Sequence, residues 1–431
     1  MTSSANCSRR RSGAATRPTH PPPLISSERP LALDRLLICA SAGLRACAVG
    51  LSGIILALHL ATIGFNAWSI GLVVSLGLLG CALGTLIVTA IADRLGRRAT
   101  LILLSILMAL GGLALAVSSK SSLVMVAALV GMVNGMGRDR GAGVTVEQAM
   151  LPQTASESNR TVAFAWYNLI VDGGHAVGSL LGGLPAWLRS QAHAPPLASY
   201  QWTWGLYSFL CLTAGALVLR LSTSVELSGA APITRLSPSS RPFVAKFAAL
   251  SGLDSFAGGF LTTAMLGYWF FRRFGVDESL LGPLFCLVRI LNGFSHLGAA
   301  WIAKRIGLVN TMVFTHLPSS LLLMTVPLAP NLPVAVLLFL VRESLVEMDV
   351  PTRQSYIVAI VKEEERTRAA GITNLTRGMG WAVAPMIAGS LMRALSLSAP
   401  LVIGPGLKVA YDLLLYRAFR HLKPPEERAP A

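Results

Sequence analysis

The sequence predicts an all-α membrane protein, with twelve transmembrane helices in two pseudo-symmetric six-helix bundles. Three observations carry that prediction. Of 431 residues, 53% are hydrophobic and only 13% charged, with a mean hydropathy of +0.61; this is too apolar for a soluble chain and too even for one held by a single anchor. The apolar runs are continuous and close to the ~20 residues a helix needs to cross ~30 Å of hydrocarbon, and they lack the period-two alternation of barrel strands. Finally, segments of the chain recur at nearly constant offsets.

Residues 1–33 include Arg9, Arg10, Arg11 and Pro21, Pro22, Pro23 and hold no apolar core. They are expected to form a disordered cytoplasmic tail and not a cleavable signal. Spans are expected at about 34–60, 67–91, 99–118, 121–144, 162–187 and 202–220, making a first half over 34–220. The linker 221–245, with Ser237, Pro238, Ser239 and Ser240, is polar and should be cytoplasmic. A second half over 246–420 should contain spans at 246–270, 279–302, 309–327, 332–350, 369–394 and 400–420, followed by a tail at 421–431.

The formal net charge of +16 raises the possibility of nucleic acid as a partner. The Lys and Arg residues sit in short loops between spans instead of on a hydrophilic module, which excludes that class and points to membrane orientation. Most of them fall on one side when both termini are placed in the cytoplasm. Both termini are therefore expected to be cytoplasmic, in a multi-pass protein whose expected location is the cytoplasmic (plasma) membrane. The six cysteines show no paired spacing and read as packing thiols.

Two stretches reveal the duplication. Ile91-Ala92-Asp93-Arg94-Leu95-Gly96 is followed, at an offset of 211, by Ile302-Ala303-Lys304-Arg305-Ile306-Gly307. Gln148, Arg160, Asn168, Gly174 and Gly183 reappear at an offset of 206 as Gln354, Arg366, Asn374, Gly380 and Gly389. Parallel repeats of this kind place a polar pathway between two halves that rock against each other.

At the first of these stretches, Asp93-Arg94-Leu95-Gly96-Arg97-Arg98 resembles the major facilitator superfamily signature between the second and third spans, Gly-x-x-x-Asp-Arg-x-Gly-Arg-Arg/Lys. Thr89 stands where that pattern has its first Gly. The resemblance covers nearly the whole chain. It implies secondary active transport of a small solute by rocker-switch alternating access, and a cavity lined by the first and seventh spans. It also implies that Asp93 is engaged when the cytoplasmic side is closed.

The residues themselves add detail. Gly96 permits a tight turn, and Arg97 and Arg98 are expected to hold the loop on the anionic membrane surface. Asp93 and Glu147 correspond to Lys304 and Arg353 in the second repeat, so aligned positions carry opposite charge. A cytoplasmic latch is therefore expected from Asp93, Arg94, Gly96, Arg97, Arg98 and Glu147 on one side and Lys304, Arg305, Arg353, Arg366 and Arg368 on the other. Within it, Asp93 should meet Arg366 or Arg368, and Glu147 should meet Arg94 or Arg98.

Ionisable groups inside spans are costly and mark function or buried pairing. Those nearest the midplane are Arg45, Asp172, Asp254, Arg289, Arg342, Glu343 and Arg377, with His175 beside Asp172. They are the expected substrate and proton pathway. Gly43-Leu44-Arg45 aligns with Gly252-Leu253-Asp254 at an offset of 209, so Arg45 and Asp254 are expected to face each other across the cavity. Arg138, Asp139, Arg140, Glu343 and Glu347 are expected near the inner gate. Trp166, Tyr167, Asn168, Asn292, Asn374 and Trp381 are further candidates for the cavity wall.

The functional expectation is a proton-coupled secondary transporter, an antiporter exporting a broad or amphiphilic solute, working as a monomer. A transporter-like receptor or sensor and a facilitative uniporter are the alternatives. No phosphate-binding loop, HExxH or Ser/His/Asp spacing is visible, so no enzyme, cofactor or metal is expected.

Overall fold

The computed structural model describes residues 28–155, 159–226, 236–362 and 365–421. The expected tails at 1–27 and 422–431 lie outside the described residues. Among those described there are sixteen α-helices and no strand. The first half contains α1 (Glu28–Thr62), α2 (Ala67–Leu95), α3 (Arg97–Val117), α4 (Ser121–Val130), α5 (Ala142–Met150), α6 (Arg160–Leu181), α7 (Leu184–Gln191) and α8 (Pro196–Val218). The second contains α9 (Arg241–Gly259), α10 (Thr263–Phe274), α11 (Glu278–Ile306), α12 (Leu308–Thr325), α13 (Leu332–Val346), α14 (Asp349–Ile360), α15 (Arg366–Ala394) and α16 (Pro400–Phe419).

Sixteen helices replace twelve because several spans are interrupted. Expected span 121–144 is α4 and α5 separated by an irregular segment at 131–141, and expected span 246–270 is α9 and α10. The tenth span stops at Val346 and restarts as α14, and the fifth continues past Leu181 as the short α7. Among the described residues, five helices are long and apolar enough on their own to cross a bilayer, α2 and α3 included. On α3, exposed Leu103, Ile106, Leu110, Leu113 and Val117 recur at helical spacing. A continuous apolar stripe of this size belongs against lipid.

Local chemistry sets the helix starts. Asn66, Asp277 and Asn331 each accept from a backbone N–H of the first turn of α2, α11 and α13, satisfying donors that a helix leaves unpaired. Gly96 and Gly307 take φ of 93° and 85°, so the repeated loop makes the same left-handed turn in both copies.

Packing repeats as well. A Cβ on Gly174 would lie 2.5 Å from the Gly43 carbonyl oxygen, and one on Gly380 would lie 2.6 Å from that of Gly252. These four glycines correspond through the two offsets found in the sequence, so α1 meets α6 as α9 meets α15.

The halves touch most tightly at the end farthest from the linker. A Cβ on Gly71 would lie 2.3 Å from the Pro385 carbonyl oxygen, and one on Gly389 would lie 2.2 Å from that of Ala67. Ser75 Oγ accepts from Met386 N at 2.9 Å. Nearby, Arg189 of α7 reaches Glu278 of α11 at 2.5 Å, and Tyr200 also donates to Glu278. At the linker end, α5 packs against α2 and α3, and α14 against α11 and α12, each within its own half.

The linker is pinned from both sides. Glu226 accepts from Arg97 N at 2.7 Å and Arg98 N at 3.1 Å, capping α3. Glu365 interacts with Ser240 and accepts from Ser237 N at 2.6 Å, and these bonds hold its carboxyl below the usual range.

Candidate functional site

The interruption at 131–141 builds much of the site. Gly135 and Gly137 and the positive φ of Met132 and Gly137 prevent a continuous helix. Asn134 then stitches the turn, accepting from Met136 N and donating to the Arg138 carbonyl, both at 2.7 Å. Irregular backbone at membrane depth needs partners for its polar groups, and here the second half supplies several. Ala264 N donates to the Gly135 carbonyl at 2.9 Å, and Thr263 Oγ1 donates to that of Met136 at 2.8 Å. Arg289 reaches Thr263 Oγ1 at 3.0 Å and the Met136 carbonyl at 3.5 Å. Asp139 N donates to His175 Nε2 at 2.8 Å.

Two charged clusters flank this segment. In the first half Arg45 binds Glu147 through both terminal nitrogens, at 2.5 and 2.6 Å, and Asp139 at 2.5 Å. Tyr167 adds a hydrogen bond to Glu147 at 2.9 Å. In the second half Asp254 accepts from Lys408 at 3.0 Å, Arg377 at 3.1 Å and Arg353 at 3.3 Å, and Arg353 also binds Asp349. Arg45 and Glu147 correspond to Asp254 and Arg353 through the sequence offsets. The same two positions thus form an ion pair in each half with the polarity reversed.

This arrangement corrects two expectations. Arg45 and Asp254 do not pair across the cavity, because each is saturated by partners from its own half. Glu147 does not meet Arg94 or Arg98 but is buried against Arg45 and Tyr167, and Arg353 is buried between Asp254 and Asp349. Arg97 and Arg98 are also drawn inward, donating to the carbonyls of Ala149 at 2.8 Å and Leu219 at 2.9 Å, where helix C-termini attract cations. Arg94 and Lys304 are exposed, and Arg305 lies 4.0 Å over the Trp301 ring. Arg366 and Arg368 stand at the start of α15, and the side chain of Asp93 lies outside the described residues.

Between the halves is a cavity with an empty volume of about 770 Å³, counting the part open to solvent. Seven basic residues, Arg138, Arg140, Arg289, Arg342, Arg353, Arg377 and Lys408, line it against four acidic ones, Asp254, Glu343, Glu347 and Asp349. Arg138 crosses to Glu347 at 2.7 Å, and Arg342 contacts Glu343. Arg140 and Arg377 each place a guanidinium 4.7 Å from the centroid of Trp381, on which either can stack. Among the described residues Arg140 and Arg289 have no carboxylate partner.

Of the expected pathway residues, Asp254, Arg289, Arg342, Glu343 and Arg377 line this cavity, while Arg45, Asp172 and His175 do not. Asp172 is exposed and lies 3.9 Å from His175. Asn292 and Trp381 are in the wall, Tyr167 is turned to Glu147, and Trp166, Asn168 and Asn374 are exposed. His316 lines the cavity and Asp412 lies behind it, although neither was singled out from the sequence, nor was Lys408. Lys408 and Asp412 stood one turn apart in an otherwise apolar span, which was a readable signal.

Two helical bundles enclosing a charged cavity at membrane depth, sealed at one end, define a secondary transporter of small solutes. The chain belongs to the Major Facilitator Superfamily, whose sequence profile matches residues 38–346 and 248–431. An uncharacterized membrane protein of Saccharomyces cerevisiae is 27% identical over 416 residues, covering 89% of this chain and 93% of the yeast protein. A D-xylose–proton symporter superposes with a TM-score of 0.72 at 14% identity over 90% of this chain and 98% of its own. The nucleoside transporter NupG gives 0.71 at 14%, over 90% and 99%. These structural likenesses establish the shared fold.

Proposed function

We propose that this transporter carries small organic anions, driven by a proton gradient. The observation behind this reading is the excess of three positive charges lining the cavity, where Arg140 and Arg289 are the two cations that make no salt bridge among the described residues. An arginine held in low dielectric without a counter-ion is costly, and an anionic solute repays that cost on binding. Guanidinium groups also match carboxylates in planar, two-bonded geometry.

With both termini in the cytoplasm, the sealed end faces outward and the described conformation opens inward. Arg189, Tyr200 and Glu278 then serve as the outer gate. Closure at the linker end would bring Asp93, Arg94, Lys304, Arg305, Arg366 and Arg368 together as the inner latch. The export-by-antiport reading requires solute and proton to compete for one group; an anion in a cationic cavity favours a proton that travels with it.

Proteoliposome uptake tests the substrate class directly. Labelled succinate or benzoate should enter saturably and faster with an inward pH gradient, while succinamide and benzamide should not. Equal uptake of acids and amides, or uptake of organic cations instead, would sink the anion reading.

A further inference from the structure

Lys408 and Asp412, one turn apart on α16, both reach His316 of α12. His316 Nδ1 lies 2.9 and 3.2 Å from the two Asp412 oxygens, and Nε2 lies 3.1 Å from Lys408 Nζ, which also donates to Asp254 Oδ1 at 3.0 Å. All four side chains are buried. The distances along this row are met when Asp412 is ionised and Lys408 is charged. An ionised carboxylate only accepts, so Nδ1 then carries the hydrogen; an ammonium only donates, so Nε2 then offers its lone pair to Lys408. In that arrangement the one basic atom of the imidazole is covered by the same ammonium that holds Asp254.

Other charged groups surround the ring on every side. Asp254 of α9 has Oδ1 3.9 Å from Nε2, and Asp349 of α14, bound to Arg353, has an oxygen within 4.8 Å of the other two residues' ligand atoms. Tyr411 of α16 stands edge-on at 6.1 Å. Arg377 of α15 lies on Asp254, while Arg289 of α11 and the Arg342–Glu343 pair of α13 share the cavity wall.

We propose that His316, with Asp412 behind it, is the proton-binding site of this carrier, and that proton and anion move in the same direction. A proton arriving at Nε2 forms an N–H bond and turns the acceptor into a donor facing an ammonium 3.1 Å away. Two cations cannot keep that contact, so Lys408 is displaced toward the cavity and Nε2–H takes its place facing Asp254. The added charge strengthens anion binding at the cavity wall, and by thermodynamic reciprocity the anion draws the proton in. This inference deepens the anion reading and rests on it.

The test uses the purified full-length protein in weakly buffered detergent with a pH dye, with succinate and benzoate as probes and succinamide and benzamide as controls. Both acids should raise the unfolding temperature and draw in about one proton per protein, with affinity rising roughly tenfold per pH unit lowered. In H316Q the acids should still stabilise the protein but proton uptake should disappear. In D412N, which can still accept from Nδ1–H, it should fall. Unchanged uptake in H316Q, or acid stabilisation without uptake in the unmodified protein, overturns the His316 site and leaves the anion reading standing. Stabilisation by neither acid, or equally by acids and amides, overturns the anion reading and the coupling together.

Discussion

The two halves place an ion pair at the same pair of positions and use it in opposite ways. In the first half one guanidinium, Arg45, is enclosed by two carboxylates, and neither Arg45 nor Glu147 lines the central cavity. In the second half one carboxylate, Asp254, is enclosed by three cations that do line it. Duplication supplied a shared scaffold position, and its polarity and exposure to the cavity then diverged. The first cluster reads as a strut joining α1 to α5, and the second as the working face of the cavity.

Replacing Arg45 with Leu is the severest way to break that contrast. It leaves Asp139 and Glu147 buried together without a cation, which should cost roughly 3–5 kcal/mol. Thermal unfolding of the purified protein measures this, and unchanged stability would show that the cluster is no strut.

Next in size are R140Q and R289Q. Each removes a charged hydrogen-bond donor for the solute, contributing about 1.5–3 kcal/mol, so apparent anion affinity should fall roughly ten- to a hundredfold. Unfolding temperature should hold or rise in R140Q, whereas R289Q also gives up the bonds to Thr263 and the Met136 carbonyl. Flux assays at varied solute concentration separate affinity loss from misfolding.

A more diagnostic change is D254N. It frees three cations in the cavity, so the anion should bind more tightly while turnover slows, lowering KM and kcat together. A rise in KM would assign Asp254 to direct solute recognition and dissolve the division of labour between the halves.

The smallest effect is expected at the linker. The folded carboxyl of Glu365 titrates below its ordinary range, so its stabilisation is present above the unfolded value, near ~4.3, and is lost as pH falls through the folded value. E365Q should therefore flatten stability against pH in that acidic window and nowhere else. Denaturant titrations from neutral to acid pH would reveal it.

The helical bundle fold was legible because hydrocarbon thickness imposes a length on every apolar run. The break after Gly259 was not, because Phe260 and Leu261 keep the run apolar while the backbone turns at Thr262. The break at 131–141 did carry a signal, four glycines beside Asn134 and the charged run Arg138-Asp139-Arg140, but not the partners its backbone borrows from the opposite half. The offset correspondences were correct but identified equivalents, not neighbours. Arg45 and Asp254 occupy equivalent places, and each is drawn to the group on its own half that corresponds to the other's partner. Which way a side chain points about its helix was not encoded in the repeat. Lys408 and Asp412, one turn apart within a span, were legible as a charged pair, but their shared partner His316 lies 92 and 96 residues away and no local pattern links them to it.

The matched glycine contacts, Gly43 with Gly174 and Gly252 with Gly380, also bear on ancestry. Two identical, separate half-proteins paired in a membrane would carry the same residues at both copies of each position. They could not hold Arg45 with Glu147 in one copy and Asp254 with Arg353 in the other. The reversed polarity is available only once the two copies differ in sequence, so the lopsided charge of this cavity postdates the duplication that gave both halves the same helix contacts.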